Sequence, residues 1–600
     1  MTASTFPDSV ASNDRTRQRY NLFLLLVAGL GGLLYGIDVG IIGGALPYLE
    51  ATSKLDPSQL SIIVAAVLLG SVFSTLFAGM LADWIGRKPL MILSGLSFIL
   101  SIPVIALAHG YAPLFFGRLL QGMSGGLIGI VVPLYLAECL SASTRGKGTG
   151  VFQWLLTFGI VAAALIGIYF SYRVDAVARL GDPSALFTFK DHAWRSIFWV
   201  SLPPGALFVL GALMVTESPR WLYRRKQFEK ARAALLRSRS PEQATLELHE
   251  METASKPAAA TGQKVRDSLL RRKYVIPFLL ACVILACNTA TGINSVIGFN
   301  TNILLQSGLS DLQAHWGYVL FTAFNFCFTA IGMMLVDRKG RKFLFVLGTS
   351  GIILSMVTVG TLFKRTERQN VDCRSQIQSL VTSDQQLTFQ FNQAEAQRLL
   401  AASGATGGDI QPGRASFAII FSYGDFTGTT SYVRSDDPAT PPLKITRDGA
   451  VPPNKVQAIF SNPFADYEAA KSAPLKIEKA VLGPVPSENH GWLVAIFIYL
   501  FVAFYATGPG VCVWLALSEL MPTRIRSNGM SIALVINQLV AATLQAIFLP
   551  FVSKHNYSSM FYLFAGFTVV YFLTAAFLLP ETKGKTLEEI EAFFDKGAAH

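Results

Sequence analysis

Long apolar segments separated by polar loops run along most of the chain. Each segment holds about 20 or more mostly apolar residues, which is the length that an α-helix needs to cross the hydrocarbon core of a bilayer. The segments have approximate edges at residues 21–46, 60–82, 89–108, 113–137, 150–171, 194–216, 275–300, 316–336, 343–363, 491–515, 528–549 and 558–579. The pattern therefore predicts an all-α membrane protein with twelve transmembrane helices.

Two polar segments are longer than the other loops. Residues 217–274 contain short amphipathic stretches, which predict a helical linker. Residues 364–490 are rich in Pro, Gly, Ser and Asn and have only short apolar runs, which predicts an insertion with some strands between the ninth and tenth spans. The predicted organisation is a tail, a six-helix bundle, the linker, three helices, the insertion, three helices and a tail, at residues 1–20, 21–216, 217–274, 275–363, 364–490, 491–580 and 581–600.

Composition agrees with a membrane protein, and the charge distribution predicts its orientation. Charged residues make up 15% of the chain, against about 25% in soluble proteins. Lys and Arg are concentrated in every second loop, as in 83–88 and 337–342, so the positive-inside rule places these loops, the linker and both termini in the cytoplasm. The insertion is then expected outside a plasma membrane or bacterial inner membrane. We expect the first span to be retained and not cleaved as a signal peptide.

No constellation for catalysis or metal binding stands out in the sequence. The six cysteines lack metal-ligand spacing, and five of them lie in apolar segments. The basic loops alternate with nearly neutral ones, which is typical of membrane topology and not of a nucleic-acid surface. The Gly-rich "GMSGGLIG" at 122–129 is interpreted as close helix packing. We expect no enzymatic activity, no metal, no cofactor and no nucleic-acid partner, and a chain that acts as a monomer in the lipid bilayer.

Three motifs of the first half return in the same order in the second half. The first and last of them are "GMLADWIGRK", repeated as "GMMLVDRKGRK", and "ESPRW", echoed by "ETKGK". The repeated pairs lie at 79–88 and 332–342, at 133–148 and 513–529, and at 217–221 and 581–585. Without the insertion, the chain is two pseudo-symmetric six-span halves in parallel order. Such repeats are typical of transporters whose binding site lies between the halves.

The ordered motifs resemble the sugar porter family of the major facilitator superfamily. They are GMLADWIGRK, GRLLQG, PLYLAECLSASTRG, ESPRWLY, TGIN, DRKGRK, GPGVCVWLALSE and PETKGKTLEEI, and they cover both halves but not the insertion. The resemblance implies two helical bundles that alternate between outward-open and inward-open states. It also implies that the solute is a sugar or polyol.

The resemblance further implies that charged residues at the inner ends of the spans form a network closing the cytoplasmic side. The implied gate residues are Asp83, Arg87, Glu138, Arg145, Glu217 and Arg220 in the first half, and Asp337, Arg341, Glu519, Arg526 and Glu581 in the second. Opposite charges at helix ends can pair across the two bundles and complement the helix dipoles. The alternative is that these are ordinary charges that set the membrane topology.

Amide and aromatic side chains inside the spans are candidates for the solute site, because a sugar offers both hydroxyl groups and an apolar ring face. The positions that the resemblance aligns with sugar contacts are Gln153, Asn294, Asn325, Trp514 and Asn537. Two glutamines of the family are replaced by Asn288 and Thr289, whose shorter side chains leave room for a larger or differently held solute. For each asparagine, the alternative is a helix–helix hydrogen bond.

Asp38 lies inside the first predicted span, where an ionisable side chain is costly and is a functional candidate. The resemblance places Arg118 of the fourth span opposite it. Burial and a neighbouring guanidinium act in opposite directions on a carboxyl group, so we expect Asp38 to bind and release a proton during transport. The alternative is a permanently ionised structural pair. A second acidic position of some proton-coupled relatives is Ser201 in this chain.

These residues lead to the hypothesis of a proton symporter that imports a sugar or polyol. The enlarged loop after the ninth span is reminiscent of the proton–myo-inositol symporters in position and size, so myo-inositol is one candidate. A passive uniporter is the main alternative. A transporter-like sugar sensor is a weaker alternative. Such sensors tend to carry a long cytoplasmic tail, whereas only about twenty residues follow the last predicted span in this sequence.

Overall fold

The computed structural model describes residues 8–53, 55–140, 142–255, 271–403, 414–436, 442–455, 457–458, 462, 464–522, 525–583, 589–590 and 593–594. Inside these ranges, side chains are not described at 8–14, 142–149, 253–255, 337, 515, 517–518 and 526–528. The described chain consists of long helices and one small β-rich unit.

The first half is made of α1 Asp8–Thr52, α2 Pro57–Ile85, α3 Arg87–Ala106, α4 Tyr111–Cys139, α5 Ala142–Ala178, α6 Pro183–Trp199 and α7 Leu202–Met214. Helix α2 begins where Asp56 and Gln59 form a reciprocal capping box. The sixth span consists of α6 and α7 and starts earlier than its predicted edge at 194. Asp182 caps its first turn by accepting N–H bonds from Ser184 and Ala185, and Lys190, Asp191 and His192 lower the hydropathy of the helix before residue 194.

Three short helices form the linker: α8 Pro219–Arg224, α9 Phe228–Ser238 and α10 Pro241–Ser255. Arg239 attaches them to the first half. It is 3% exposed, lies 2.6 Å from Glu247, and donates to the backbone carbonyl of Cys139 at 2.9 Å. The linker is therefore packed on the first half through a buried guanidinium.

The second half opens with α11 Arg272–Ala290, α12 Ile293–Gly298, α13 Asn300–Gln306, α14 Asp311–Lys339 and α15 Arg341–Glu367. The seventh span is thus broken into three helices. Gly292 lies at the first break with φ +89°, a conformation that favours glycine, and a Cβ atom there would lie 2.5 Å from the ring of Phe564. The break exposes backbone groups inside the bundle, which is tolerated where irregular backbone is buried in protein or lines a cavity.

A β-rich unit follows α15. Its strands are β1 Val371–Asp372, β2 Leu387–Phe389, β3 Ala415–Tyr423, β4 Phe426–Thr429, β5 Val433–Arg434, β6 Leu443–Ile445 and β7 Leu475–Pro484. Its short helices are α16 Arg374–Gln378, α17 Gln393–Ala402 and α18 Tyr467–Ser472. The antiparallel order is β1-β7-β3-β4, with β5 also on β3 and a separate β2-β6 pair. Apolar residues of these elements form a core of their own, around Phe417 and Ile419.

The chain returns to the bundle in α19 Glu488–Thr507, α20 Pro509–Leu520 and α21 Arg526–Leu573, which a short π-helical turn, Thr574–Leu578, extends. Among the described residues, eleven helical segments are long and apolar enough to span a membrane. The last of them, Gly529–Leu578, covers the eleventh and twelfth predicted spans, and Asn556 breaks it with φ 71° and ψ 163°. Two spans are therefore joined here through one non-helical residue, where the sequence predicts a loop.

The apolar cores divide the bundle into two sides. Near the β-rich unit, residues of both halves such as Ile41 and Ile297 share one core. At the opposite end each half has a core of its own, around Leu136 in the first and Leu344 in the second. We call these ends the insertion side and the termini side. Within the first half, Gly122 of α4 lies directly against the backbone of α2, so the Gly-rich run does pack helices closely there.

Candidate functional site

Predicted gate residues of the first half form a cluster on the termini side. Arg87, which is 2% exposed, lies 2.9 Å from both Asp83 and Glu138. Glu138 also accepts a hydrogen bond from the Ser218 hydroxyl. Glu217 accepts the N–H of Arg87, the first residue of α3, at 3.0 Å, where the helix dipole favours a carboxylate. Burial raises the pKa of Glu217 above its ordinary value, although such N–H bonds oppose the shift.

The second half repeats this cluster. Arg341 lies 2.9 Å from Glu519, which accepts from the Thr582 hydroxyl at 2.5 Å. Glu581 accepts the N–H groups of Arg341 and Lys342, each at 3.1 Å, at the start of α15. The copy is less buried: the Arg341 side chain is 13% exposed and that of Glu519 is 24% exposed.

Both clusters close within their own half. The ion pairs of Arg87 and Arg224 lie within the first half and its linker, and that of Arg341 lies within the second half. Arg220 is exposed. The side chains of Arg145, Asp337 and Arg526 lie outside the described part of the chain. The network expected between the bundles therefore stays a prediction, and in this conformation the ion pairs of Arg87 and Arg341 stabilise each half separately.

Asp38 and Arg118 face each other inside the first half, as the family resemblance implies. Asp38 is fully buried and Arg118 is 1% exposed, and their nearest atoms are 3.8 Å apart. Arg118 donates to Gln121 at 2.6 Å, and its guanidinium lies 5.7 Å from the centre of the Phe198 ring. Neither carboxylate oxygen of Asp38 has a hydrogen-bond partner among the described atoms. The two charges attract each other, but no direct bond would have to break for Asp38 to take up a proton.

The second half brings three of the predicted solute residues together. Asn288 donates to the Tyr505 hydroxyl at 3.1 Å, and its own amide oxygen is buried without a described partner. Asn537 donates to the Leu285 carbonyl at 2.9 Å, and Thr289 donates to the Asn537 carbonyl at 3.3 Å. Bonds between helices, the alternative interpretation, thus use part of this set. The free oxygen of Asn288 remains available to a solute hydroxyl.

The other predicted solute residues are distributed over both halves. Gln153 of α5 and Asn325 of α14 each precede an aromatic residue, and these two rings, Trp154 and Phe326, stack across the halves with centres 4.9 Å apart. Trp514 of α20 is 44% exposed and follows the helix break at Gly508, which separates α19 from α20. Asn294 lies just after the break in the seventh span and is half-buried.

Sequence reasoning missed three polar residues near this region. Gln545 donates to the Asn294 carbonyl at 2.8 Å, and its side-chain oxygen is buried without a described partner. Asn300 is fully buried with no described partner for either side-chain atom. Tyr505 bonds Asn288. The helical period contained a usable signal, because Gln545 follows Asn537 by eight residues, about two turns, and therefore lies on the same face.

Hydrogen bonds between the halves gather on the insertion side. The Tyr48 and Ser171 hydroxyls of the first half donate to the Asp311 carboxylate of the second, at 2.8 and 2.7 Å. The Tyr318 hydroxyl donates to the Gly40 carbonyl at 2.8 Å. These contacts are buried or partly buried, so the structure represents a form that is closed on the insertion side.

Comparison with known proteins identifies the family. The sequence model of the "Sugar (and other) transporter" family matches residues 24–379 and 478–594. This chain belongs to that family. The stretch that the family does not match, 380–477, lies within the β-rich unit. The chain is therefore a multi-pass sugar transporter family member, as its motifs predict, and not an enzyme.

Sugar transporters of known sequence and structure match over almost the whole chain. The human "Proton myo-inositol cotransporter" is 26% identical over 96% of this chain and 82% of its own length. "Inositol transporter 4" of Arabidopsis thaliana is 24% identical, over 96% and 92%. A structure titled "Inward open conformation of the xylose transporter XylE from E. coli" aligns with a TM-score of 0.62 and 21% identity over 96% of this chain and 99% of that one. The fold is therefore the two-bundle major facilitator fold.

Proposed function

We propose that this member of the sugar transporter family imports a sugar or polyol with a proton, by alternating access, and that Asp38 carries the proton. The observation that supports this proposal most directly is the buried pair of Asp38 and Arg118. Their nearest atoms are 3.8 Å apart, and neither carboxylate oxygen has a described hydrogen bond. A structural ion pair would gain from direct hydrogen bonds. A carboxyl that must change its protonation state in each cycle is better served by a looser arrangement.

In this mechanism the proton weakens the attraction between the two side chains. Protonated Asp38 no longer attracts Arg118 by charge, so Arg118 can stay with Gln121 while the first half changes shape. Moving one charge across 100 mV gains about 2.3 kcal/mol. At roughly 150 mV this supports an accumulation of a few hundredfold at one proton per solute.

The first test separates symport from the passive alternative. In proteoliposomes, Asp38→Asn is expected to keep solute exchange and to lose uphill uptake driven by an imposed proton gradient. Asp384→Asn, at an exposed carboxylate of the β-rich unit, is the matched control and should accumulate solute like the parent chain. Proton-driven accumulation that survives in Asp38→Asn would assign the proton to another residue, and its absence from the parent chain would leave a passive uniporter.

Both the relatives and the residues of the candidate site support a polyol or cyclitol as the solute. Two relatives that match nearly the whole chain carry inositol in their names. The side-chain oxygens of Asn288 and Gln545 are buried acceptors without described donors, and solute hydroxyl groups would satisfy them. A panel of pentoses, hexoses and cyclitols in the same proteoliposomes tests this. Uptake confined to hexoses would contradict it.

The orientation and the gate complete the proposal. The basic loops support an orientation in which the termini side faces the cytoplasm, in a plasma or bacterial inner membrane where the chain acts as a monomer.

In the proposed gate, Arg145 and Arg526 join the two clusters when the termini side closes. Arg145→Ala should raise the population open on the termini side, measured by thiol labelling from that side. Arg179→Ala, which removes an exposed pair with Asp175, is the control. Equal labelling of both variants would contradict the gate.

A further inference from the structure

A buried histidine lies at the contact between the halves on the insertion side. His315 of α14 is 1% exposed, and its ring stacks on Tyr48 of α1 with centres 5.3 Å apart and planes 9° apart. Gly167 of α5 also lies against the imidazole, because a Cβ atom on Gly167 would lie 3.5 Å from Cδ2 of His315. The imidazole is therefore enclosed by helices of both halves.

Both ring nitrogens of His315 face backbone carbonyl oxygens. Nδ1 lies 2.9 Å from the carbonyl of Asp311, one turn earlier, and Nε2 lies 3.1 Å from the carbonyl of Gly44 in the other half. A carbonyl oxygen only accepts hydrogen bonds, and a neutral imidazole has a single N–H. In the neutral form one buried nitrogen lone pair would face an oxygen, at a cost in free energy. The imidazolium, with an N–H on each nitrogen, satisfies both contacts.

The surrounding groups also favour a positive ring. The carboxylate of Asp311 lies 3.5 Å from Nδ1. It accepts from the hydroxyls of Tyr48 and Ser171, a role that suits the ionised form. Tyr172 of α5 accepts from Trp316 beside His315, and Glu488 of α19 accepts from Gln313. The Arg434 guanidinium of the β-rich unit also lies near this turn, on the Leu309 carbonyl, but its charge is paired with Asp436 at 2.8 Å.

We propose that His315 is a second proton-binding site, distinct from Asp38, which takes a proton from water on the insertion side as that side closes. The proton binds the free ring nitrogen, and closure then buries both N–H groups against the carbonyls of Asp311 and Gly44. When the halves separate, the ring meets water on the same side and can release the proton there. This proton does not cross the membrane, so it changes the pH dependence of opening and not the number of protons carried per solute.

The sign of the effect follows from proton linkage. The closed form binds one more proton than the open form, so acid on the insertion side favours closure and a rising pH favours opening. For one proton, the limit of this effect is about a tenfold change in the ratio of open to closed forms per pH unit.

The test measures opening directly. Ala164 of α5, 1% exposed and one turn deeper than Gly167, is replaced by cysteine and labelled with a membrane-impermeant thiol reagent from the insertion side at about pH 5.5 and about pH 8. Labelling of a cysteine at Leu180, which is 76% exposed, corrects for the pH dependence of the thiol itself. Only labelling above that of the parent chain with its native cysteines counts. The corrected rate should rise with pH.

Two substitutions of His315 separate the site from a general effect of pH. In His315→Gln, which has no titratable ring, the corrected rate should no longer change with pH. In His315→Lys, which keeps a charged donor, labelling should stay low at both values. His555→Gln, at an exposed histidine on the same side, should behave like the parent. A parent chain without pH dependence, or a His315→Gln variant that keeps the parental slope, would overturn the proposal. Because Asp38→Asn should keep this slope, the outcome is independent of the symport test.

Discussion

On the termini side, Arg87 and Arg341 each pair with carboxylates of their own half, whereas on the insertion side Tyr48 and Ser171 of the first half donate to Asp311 of the second. The apolar cores divide in the same way. They are separate for the two halves on the termini side and shared by both on the insertion side.

This difference separates interactions that build each half from interactions that join the halves. Opening the insertion side must break buried polar bonds, among them two hydrogen bonds to the Asp311 carboxylate, a class of bond that contributes about 1.5–3 kcal/mol. Moving the halves on the termini side leaves the ion pairs of Arg87 and Arg341 intact. The repeated motifs that the sequence suggests as a gate therefore also have an architectural role, since they anchor the first turns of α3 and α15.

The largest expected effect comes from breaking the termini-side cluster of the first half. Arg87→Ala leaves Glu138, which is 7% exposed, without its cationic partner, and losing one partner of a buried pair costs about 3–5 kcal/mol. The equivalent Arg341→Ala should cost clearly less, because Glu519 is 24% exposed and water can replace the guanidinium. Thermal unfolding of the two purified variants measures the difference.

Replacing the carboxylate instead of the cation is the control for this pair. Glu138→Gln keeps the size of the side chain and removes the uncompensated charge, so combining it with Arg87→Ala should recover part of the lost stability. Equal destabilisation by Arg87→Ala and Arg341→Ala would show that the difference in burial has no energetic consequence.

The sequence predicts the spans, the two halves and the residues of the termini-side clusters, because each of these depends on local hydropathy or on a repeated motif. It also predicts that Asp38 and Arg118 face each other, through the family resemblance. The predicted start of the sixth span is too late, and the sequence predicts a loop between the last two spans where the structure has a single non-helical residue. Helix caps and single-residue breaks leave the hydropathy almost unchanged, so hydropathy does not locate them.

The contacts between the halves are the part that the sequence does not reveal. Tyr48, Asp311 and His315 lie near the ends of apolar spans, where polar residues are ordinary. Their function arises from helices that are hundreds of residues apart in the chain. No local pattern marks Gly44 as the acceptor of a histidine N–H, because the acceptor is a backbone carbonyl that every residue has.

A middle-sized effect is expected from removing one hydroxyl between the halves. Tyr48→Phe deletes a hydrogen bond to the Asp311 carboxylate, and hydrogen bonds to charged groups contribute about 1.5–3 kcal/mol. The loss falls on the closed form and not on the open one, so labelling of a cysteine at position 164 from the insertion side should increase at least tenfold. Tyr562→Phe removes a hydroxyl contact with Thr361 within the second half and should leave labelling unchanged. Equal labelling in the two variants would show that the bonds between the halves do not hold this side closed.

The smallest effect concerns Arg434, one of the residues through which the β-rich unit contacts the bundle on the same side. Arg434 donates to the Leu309 carbonyl at 3.2 Å and pairs with Asp436 at 2.8 Å. Burial raises the pKa of Asp436, but hydrogen bonds and charge from Arg434 and Arg414 outweigh it and hold that pKa below its ordinary value. The pair therefore stabilises the folded chain above the ordinary carboxyl value of about 3.9, and this contribution is lost as the pH falls through the lower folded value.

Asp436→Asn should accordingly lower stability near neutral pH by less than about 1 kcal/mol, because partly exposed pairs are screened by solvent. It should also flatten the loss of stability below about pH 4. Thermal unfolding of the whole chain at several pH values measures both changes, with Asp384→Asn as an exposed control in the same unit. If stability falls with pH in the same way in the parent chain, Asp436→Asn and Asp384→Asn, Asp436 does not orient Arg434 toward the bundle. The contact between Arg434 and the Leu309 carbonyl would then not depend on the ion pair with Asp436.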